Sequence, residues 1–336
     1  MKSFRSSLSL VCLALALLPL TGCGRKARTE FPPPAVEPIA ARLDDDLRVL
    51  RIEVEKLAGF VGGLYHRRAE LVAKADQSKY VFSPNGSFYK PVDDGGAALW
   101  ISAVVPITET AREVAYLTEP VDAELMRICR EFPAVSQAYY NDRHSMNRIY
   151  PWFDTVAQYP PRMNIPEFNF YYLADAAHNP GRGGVWVPEP YVDPAGRGWM
   201  VSTIAPVYVD GALEGVPGLD ITIATLVEHY FSRLDRAIAI VSAEGVLVAA
   251  TESAIQHLEM PPLKDHKYLE TVKLDTFKPD EYNVLKSTNR NVRTMARRLL
   301  TDGAESAPVQ LAGTEHMVYA ARVHELGWTV IEVVPN

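Results

Sequence analysis

The chain has 336 residues, of which 48% are hydrophobic, and its formal net charge at pH 7 is -7. A negative net charge disfavours nucleic acid as a partner, because phosphate backbones are bound by basic surfaces. The length and the apolar content are enough for two lobes, each with its own core.

The N-terminal residues 1–22 have the features of a signal peptide. Lys2 and Arg5 precede an apolar run over residues 8–20, which is too short to cross a bilayer and ends in small residues. The tetrapeptide Leu20–Cys23 reads Leu-Thr-Gly-Cys, which is similar to a bacterial lipobox. In a lipobox the cysteine is lipidated and becomes the mature N-terminus.

The lipobox resemblance implies a lipid-anchored protein of the bacterial cell envelope that faces the periplasm. We expect Cys23 to carry the membrane anchor, including palmitate. The alternative is an ordinary secretory signal with an incidental cysteine. Gly24, where sorting patterns for the inner membrane have Asp, favours the outer membrane.

A linker and a long helix are predicted next. Residues 23–43 are rich in proline, which predicts an extended spacer. Residues 44–75 carry apolar side chains at steps of three and four, which predicts an amphipathic helix. This apolar stripe suits either a spine packed along both lobes or a dimerising seam. We favour the spine, since Gly59, Gly62 and Gly63 weaken a free coiled coil.

Residues 76–230 are predicted to form the membrane-distal lobe. Short apolar runs bounded by turn residues predict a sheet, and residues 109–131 have helical periodicity that Pro120 interrupts. The predicted strands of this lobe cover residues 80–83, 99–105, 136–141, 168–174, 200–209 and 213–223. A sheet with helices packed on it indicates an α+β lobe of the PAS-like type.

Residues 231–336 are predicted to form a smaller second lobe. Residues 236–241 and 246–251 flank a turn that contains Gly245, which predicts a hairpin. Three further strands are predicted over residues 307–311, 315–323 and 328–334.

Several segments resemble a known family when they are taken in order. They are Tyr150–Phe153, Tyr171–Asp175, Trp186–Asp193, Gly198–Thr203 and Gly215–Ile221. Together they resemble the double Cache domain, the extracytoplasmic small-molecule sensor of bacterial receptors. The resemblance implies a long N-terminal helix followed by two PAS-like lobes with antiparallel sheets, and a binding role rather than catalysis.

In receptors of this family, a transmembrane helix and a cytoplasmic transmitter follow the sensor. Here the sequence ends at Asn336, so we expect ligand occupancy to pass to a membrane partner such as a receptor kinase, a cyclase or a transporter subunit. The expected ligand is a small polar metabolite: an amine, an amino acid or a carboxylate.

In amino-acid-binding members of the family, an Arg-x-Trp-Tyr pattern holds the ligand carboxylate and later Asp residues hold the ammonium. The resemblance assigns Trp152, Tyr191, Asp193 and Asp220 to the ligand site. Asp220 interrupts an apolar strand, where a carboxylate needs a partner or a wet pocket. Trp152 is also explained as a core aromatic, and Asp193 as a turn residue.

The chain departs from the family pattern at two positions of this site. Tyr150 occupies the place of the Arg, and Phe153 occupies the place of the Tyr. A phenol does not replace the charged fork of a guanidinium, which puts an amino-acid ligand in doubt. Arg148 is two residues earlier and serves as a substitute only if the strand is kinked. Acidic groups with aromatic walls suit an amine through cation–π contact, or a neutral polar ligand.

Other functional classes have weaker support. No motif of a metalloprotease, serine hydrolase, P-loop or dinucleotide enzyme occurs, and the histidines lack metal-ligand spacing, so neither a metal nor a cofactor is expected. A hydrolase built on Glu189 and Asp193 is the remaining enzymatic alternative. A structural or interaction lipoprotein of the envelope, without a ligand, is another, and a sealed or apolar pocket favours it.

Overall fold

The computed structural model of the chain describes residues 34–231, 234–261 and 280–335. The predicted signal peptide, the lipidation site Cys23 and most of the proline-rich linker lie outside the described residues. Within the described residues, no helix is both long and apolar enough to cross a membrane.

The long helix α1 (Val36–Tyr65) begins earlier than predicted, at Val36 rather than at residue 44. The apolar stripe extends upstream through buried Val36, Ala40 and Leu43. Pro38 lies in the first turn, where backbone N–H groups need no helical partner, so it does not prevent the helix. The predicted helix 44–75 is interrupted after Tyr65, and a separate helix α2 follows (Arg68–Lys74).

Helix α1 is the intramolecular spine that its apolar stripe predicts. Its buried face packs against strands of both sheets. The buried side chains at helical spacing include Leu47, Leu50, Val54, Leu57, Val61 and Leu64. At about 25 cal/mol per Å² of apolar surface removed from water, each of these side chains contributes roughly 2 kcal/mol by burial. The helix therefore holds the two lobes to one core.

The first lobe contains a ten-stranded antiparallel sheet. Its strands are β1 (Val81–Phe82), β2 (Phe88–Tyr89), β3 (Ala98–Ile101), β4 (Gln137–Asp142), β5 (Met146–Tyr150), β6 (Val185–Trp186), β7 (Tyr191–Val192), β8 (Trp199–Ile204), β9 (Val207–Val209) and β10 (Ala212–Thr222). The order is β1-β2-β3-β5-β4-β10-β8-β6, while β7 pairs with β8 and β9 pairs with β10.

The two faces of this sheet are covered differently. Helices α3 (Glu109–Leu117) and α4 (Val121–Glu131) pack on one face together with α1. The other face is covered by a less regular segment with the short helices α5 (Thr155–Gln158) and α6 (Asn169–Tyr172). The break between α3 and α4 lies at Pro120, as the sequence predicts.

Two parts of the predicted first-lobe sheet differ from the structure. Residues 168–174 are predicted as a strand, but they contain α6. Their aromatic side chains favour strands, yet this segment lies over the sheet and has no strand partner among the described residues, so tertiary context overrides propensity. Strand β5 is not predicted, because Asn147 and Arg148 break its apolar pattern.

The second lobe contains a five-stranded antiparallel sheet in the order β12-β11-β15-β14-β13. Its strands are β11 (Ala237–Val241), β12 (Leu247–Ala250), β13 (Ser306–Leu311), β14 (Thr314–Val323) and β15 (Trp328–Pro335), and its helices are α7 (Ile223–Phe231, leading into the lobe), α8 (Glu252–His257) and α9 (Arg290–Ala296). Each predicted strand of this lobe overlaps an observed one. The α+β architecture of two antiparallel lobes after a long helix is confirmed.

Candidate functional site

A cavity of about 30 Å³ lies on the face of the first-lobe sheet that is opposite α1. By the same measure, one water needs about 10–15 Å³, so the cavity holds roughly two waters. It is lined by Gln137, Tyr139, Asn141, Asn147, Ile149, Tyr159, Met163, Ile165, Phe170, Tyr191, Asp193, Pro194 and Asp220. These residues come from β4, β5, β7 and β10 and from the segment above the sheet.

Strand β4 supplies one wall of the cavity through its alternation. Gln137, Tyr139 and Asn141 line the cavity, while Ala138 and Tyr140 belong to the core shared with α1. A strand sends successive side chains to opposite faces, so the polar set and the apolar set separate cleanly. The sheet therefore places a row of polar side chains against the cavity.

Two buried carboxylates meet at one end of the cavity. Asp193 is 2% exposed and Asp220 is 1% exposed. Asp220 accepts a hydrogen bond of 2.6 Å from Gln137 Nε2 and another from the Ser202 hydroxyl. Asp193 accepts from the backbone N–H groups of Ala195 at 2.8 Å and Arg197 at 3.0 Å. Because carboxylates rarely become buried without opposite charge, this pair indicates a functional site.

The environments of the two carboxyl groups affect their pKa values differently. Burial raises the pKa of Asp220 to about 8, and the nearby Asp193 carboxylate contributes to the increase. Burial also raises the pKa of Asp193, but the N–H donors of Ala195 and Arg197 oppose this change. Asp220 therefore holds a proton at neutral pH, while the N–H donors favour the ionised form of Asp193.

Aromatic and polar groups complete the acidic end. The Tyr191 hydroxyl is 2.6 Å from Ser202 Oγ, which extends the network from Asp220. Among the described residues, the Gln137 carboxamide oxygen and the Tyr139 hydroxyl have no hydrogen-bond partner. Gly218 makes room for Tyr139, because a Cβ at position 218 is placed 2.2 Å from Tyr139 Cζ. The tyrosine ring therefore lies directly on β10.

Three of the predicted ligand residues line the cavity: Tyr191, Asp193 and Asp220. Trp152 and Phe153 lie just behind the wall. Trp152 packs against the cluster that contains Tyr139, and Phe153 makes an edge contact with Tyr159 at 5.4 Å between ring centroids. These two aromatic residues thus support lining residues without lining the cavity themselves.

Arg148 and Tyr150, which were predicted as ligand residues, do not line this cavity. On β5, Asn147 and Ile149 line the cavity, so Arg148 and Tyr150 face the opposite side of the sheet.

Arg148 is fully buried on that opposite side, in contact with α3 and α4. Its guanidinium donates to Asp122 Oδ1 at 2.5 Å, Ala115 O at 2.6 Å and Thr118 Oγ1 at 3.1 Å. Its donors are thus used in holding the helices to the sheet. Among the lining residues there is no lysine, arginine or histidine.

Four lining residues are not predicted from the sequence: Gln137, Tyr139, Asn141 and Asn147. Gln137 and Asn141 were within a predicted strand, and two amides on one face of an otherwise apolar strand were a signal for a polar cavity. The enzymatic alternative finds no support in the geometry, because Glu189 does not line the cavity with Asp193. No cluster of metal-ligating side chains occurs among the described residues.

Comparison with known proteins identifies the fold. No protein-family model matches the chain, and no curated protein matches its sequence. Among solved structures, the ligand-binding domain of the amino acid chemoreceptor PctB of Pseudomonas aeruginosa, in complex with L-Arg, matches with a TM-score of 0.51 and 18% identity, over 90% of this chain and 92% of that one.

Two further solved structures are similar at lower scores. The ligand-binding domain of the chemoreceptor CtaA of Pseudomonas fluorescens, in complex with L-alanine, has a TM-score of 0.49 and 15% identity, over 89% of this chain and 93% of that one. The domain of PctC of Pseudomonas aeruginosa, in complex with GABA, has a TM-score of 0.45 and 16% identity, over 89% and 95%. The fold of the chain is that of chemoreceptor ligand-binding domains, as the double Cache resemblance predicts.

Proposed function

We propose that this protein is a periplasm-facing sensor whose first-lobe cavity binds a small amine. The observation that carries the proposal is the pair of buried carboxylates, Asp193 and Asp220, in a cavity without a basic side chain. Arg197, which does not line the cavity, opposes the increase in the pKa of both carboxyl groups, but no basic side chain enters the lining, and a cationic ligand supplies a positive charge inside the cavity.

The walls of the cavity fit such a ligand. Tyr139, Tyr191 and Phe170 present aromatic rings near the carboxylates, and aromatic faces attract ammonium groups. The PctB domain, which has the same fold, was solved with L-Arg, a ligand that carries cationic groups. A structural lipoprotein without a ligand is expected to fill this position with apolar side chains, which is not what the chain does.

A ligand carboxylate finds no charged partner in this cavity. The only arginine of β5, Arg148, is fully buried on the other face of the sheet and paired with Asp122. Two acidic residues already line the cavity, so a further carboxylate is repelled. Among the three expected ligand classes, the geometry therefore favours amines over amino acids and carboxylates.

The size of the cavity limits what binds without a rearrangement. About 30 Å³ accepts a ligand of only a few heavy atoms. A larger amine requires a wall of the cavity to move, and the turn between β7 and β8 forms one wall. That turn carries Asp193 and is closed by a bond from Asp193 N to Gly198 O at 2.9 Å.

The lipid anchor at Cys23 and a membrane partner complete the proposal. The Leu20–Cys23 motif supports anchoring at the envelope, with the outer membrane favoured. A lipid reaches only one leaflet, so ligand occupancy affects the other side of the membrane only through another protein. We expect crosslinking in intact cells to capture a receptor kinase, a cyclase or a transporter subunit. Recovery of uncrosslinked monomer alone, with and without ligand, contradicts the partner.

A thermal-shift screen tests the ligand class. Methylamine, ethylamine, ethanolamine and their carboxylate counterparts are compared on the wild type, on Asp220→Asn and on the control Asp302→Asn, which is at an exposed position of the second lobe. A ligand that binds only the native state at 100 times its Kd stabilises it by about 2.7 kcal/mol. We expect shifts with amines for the wild type and the control, and smaller shifts for Asp220→Asn, which keeps only the Asp193 carboxylate. Equal shifts in all three proteins disprove the site.

A further inference from the structure

The side-chain amide of Asn141 also lines the cavity, and it makes no hydrogen bond to Asp193 or Asp220. Asn141 is 1% exposed and lines the cavity from β4, two residues beyond Tyr139. Gln137 and Asn141 are four residues apart on one face of a strand, which separates their Cα atoms by roughly 13 Å. Asn141 therefore lies at the end of the cavity away from the carboxylates.

A chain of hydrogen bonds links Asn141 to Asn147 and Tyr159. The Tyr159 hydroxyl donates to Asn147 Oδ1 at 3.1 Å, and Asn147 Nδ2 donates to Asn141 Oδ1 at 2.8 Å. The carbonyl oxygen of Asn141 is thereby used. Of the two polar atoms of the Asn141 side chain, only Oδ1 makes a hydrogen bond within the described residues. This series of hydrogen bonds therefore ends at the amide N–H₂ group of Asn141, which still has hydrogens to donate.

We infer that Asn141 is a specificity-determining contact, which selects amines that carry a neutral hydrogen-bond acceptor at their far end. This inference rests on the proposed function of the cavity. The acidic end takes the ammonium group, and the Asn141 amide donates to an uncharged oxygen such as that of a carboxamide. A carboxylate at the same place also accepts from Asn141, but it finds no cation and stands in a cavity with two acidic residues.

Two matched series of probes test the inference by calorimetry at pH 7. The short series is glycinamide, glycine and ethylamine. The long series is 4-aminobutanamide, GABA and butylamine. In at least one series, we expect the amide to bind the wild type about tenfold more tightly than the amine, as one additional buried hydrogen bond allows, and also more tightly than the acid.

Variants at position 141 separate recognition from folding. Asn141→Ala should lower the affinity for the amide more than the affinity for the simple amine, so that the preference for the amide is lost. Asn141→Asp keeps the shape and the acceptor for Asn147, and it should remove the preference for the amide too. Asn291→Ala, in which an exposed second-lobe amide is lost, is the matched control and should behave as the wild type.

The outcomes distinguish this inference from the proposed function. If amines bind but the amide gains nothing over them, or if Asn141→Ala weakens amide and amine equally, the inference is wrong and the amine site stands. If the acid binds as tightly as the amide, the inference is also wrong. If no amine of either series binds the wild type, the proposed function fails and the inference fails with it.

Discussion

Replacing Asp220 with asparagine should change how the stability of the ligand-free protein depends on pH. The pKa of Asp220 is about 8 in the folded protein, and its ordinary value is 3.8. Because the folded pKa is raised, the folded state binds the extra proton between these values. The proton on Asp220 thereby stabilises the folded state. This stabilisation is complete below pH 4 and is lost as the pH rises towards 8.

The size of this pH effect on the free energy of unfolding follows from the binding of one proton. A group that is protonated in the folded state and ionised in the unfolded state changes the free energy of unfolding by about 1.4 kcal/mol per pH unit. Between pH 5 and pH 7 this loss amounts to about 3 kcal/mol for Asp220. The amide of the Asp220→Asn variant does not titrate, so the variant should gain on the wild type by that amount over the same interval.

Urea denaturation at pH 5, 6, 7 and 8 measures this difference. The wild type, Asp220→Asn and the exposed control Asp302→Asn are unfolded in parallel, and their free energies of unfolding are compared at each pH. We expect the gap between Asp220→Asn and the wild type to widen with pH, while the control follows the wild type. A gap that stays constant from pH 5 to 8 refutes the reasoning, because it means that Asp220 is ionised in the native state.

Three further predictions concern the wall, the opposite face and the anchor. Gly218→Ala should force Tyr139 into the cavity, lower the free energy of unfolding by about 1–3 kcal/mol and remove the thermal shift with amines. The control Gly63→Ala, whose added Cβ has nothing within 4 Å, should have none of these effects. A retained shift in Gly218→Ala contradicts the placement of Tyr139. Arg148→Met should lower the free energy of unfolding by about 3 kcal/mol, measured with urea, and leave amine affinity unchanged; reduced affinity at unchanged stability means that Arg148 reaches the ligand. Cys23→Ala should abolish incorporation of radiolabelled palmitate, and equal labelling of variant and wild type disproves the lipid anchor.

Much of the architecture follows from local patterns in the sequence. The stripe from Leu47 to Leu64 predicts the spine, because only a helix brings those side chains to one face. The hairpin around Gly245 and the strands that follow it also have simple apolar patterns. The boundary at Val36 was missed because Pro38 reads as part of a linker, although proline is tolerated in a first helical turn.

The acidic end of the site is predictable, while the rest of the cavity is not. Asp220 is conspicuous because a carboxylate inside an apolar strand needs a reason. Arg148 is equally polar within β5, but the side of the sheet that it faces depends on the register of that strand. Its register became clear only once β5 was paired with β3 and β4. The role inferred for Asn141 depends on its hydrogen-bonded neighbours Asn147 and Tyr159. Asn147 is on another strand, and Tyr159 is in the segment over the sheet.

The cation site is tested most directly by proton release on binding. Calorimetry at pH 7 is done with the amine that gives the largest thermal shift, in buffers of different ionisation enthalpy. A cation that pairs with Asp193 and Asp220 should favour the ionised form of Asp220, whose pKa is about 8 in the ligand-free protein, and so release close to one proton per ligand. Asp220→Asn should release none. Binding that is independent of the buffer, or unchanged in Asp220→Asn, contradicts the account.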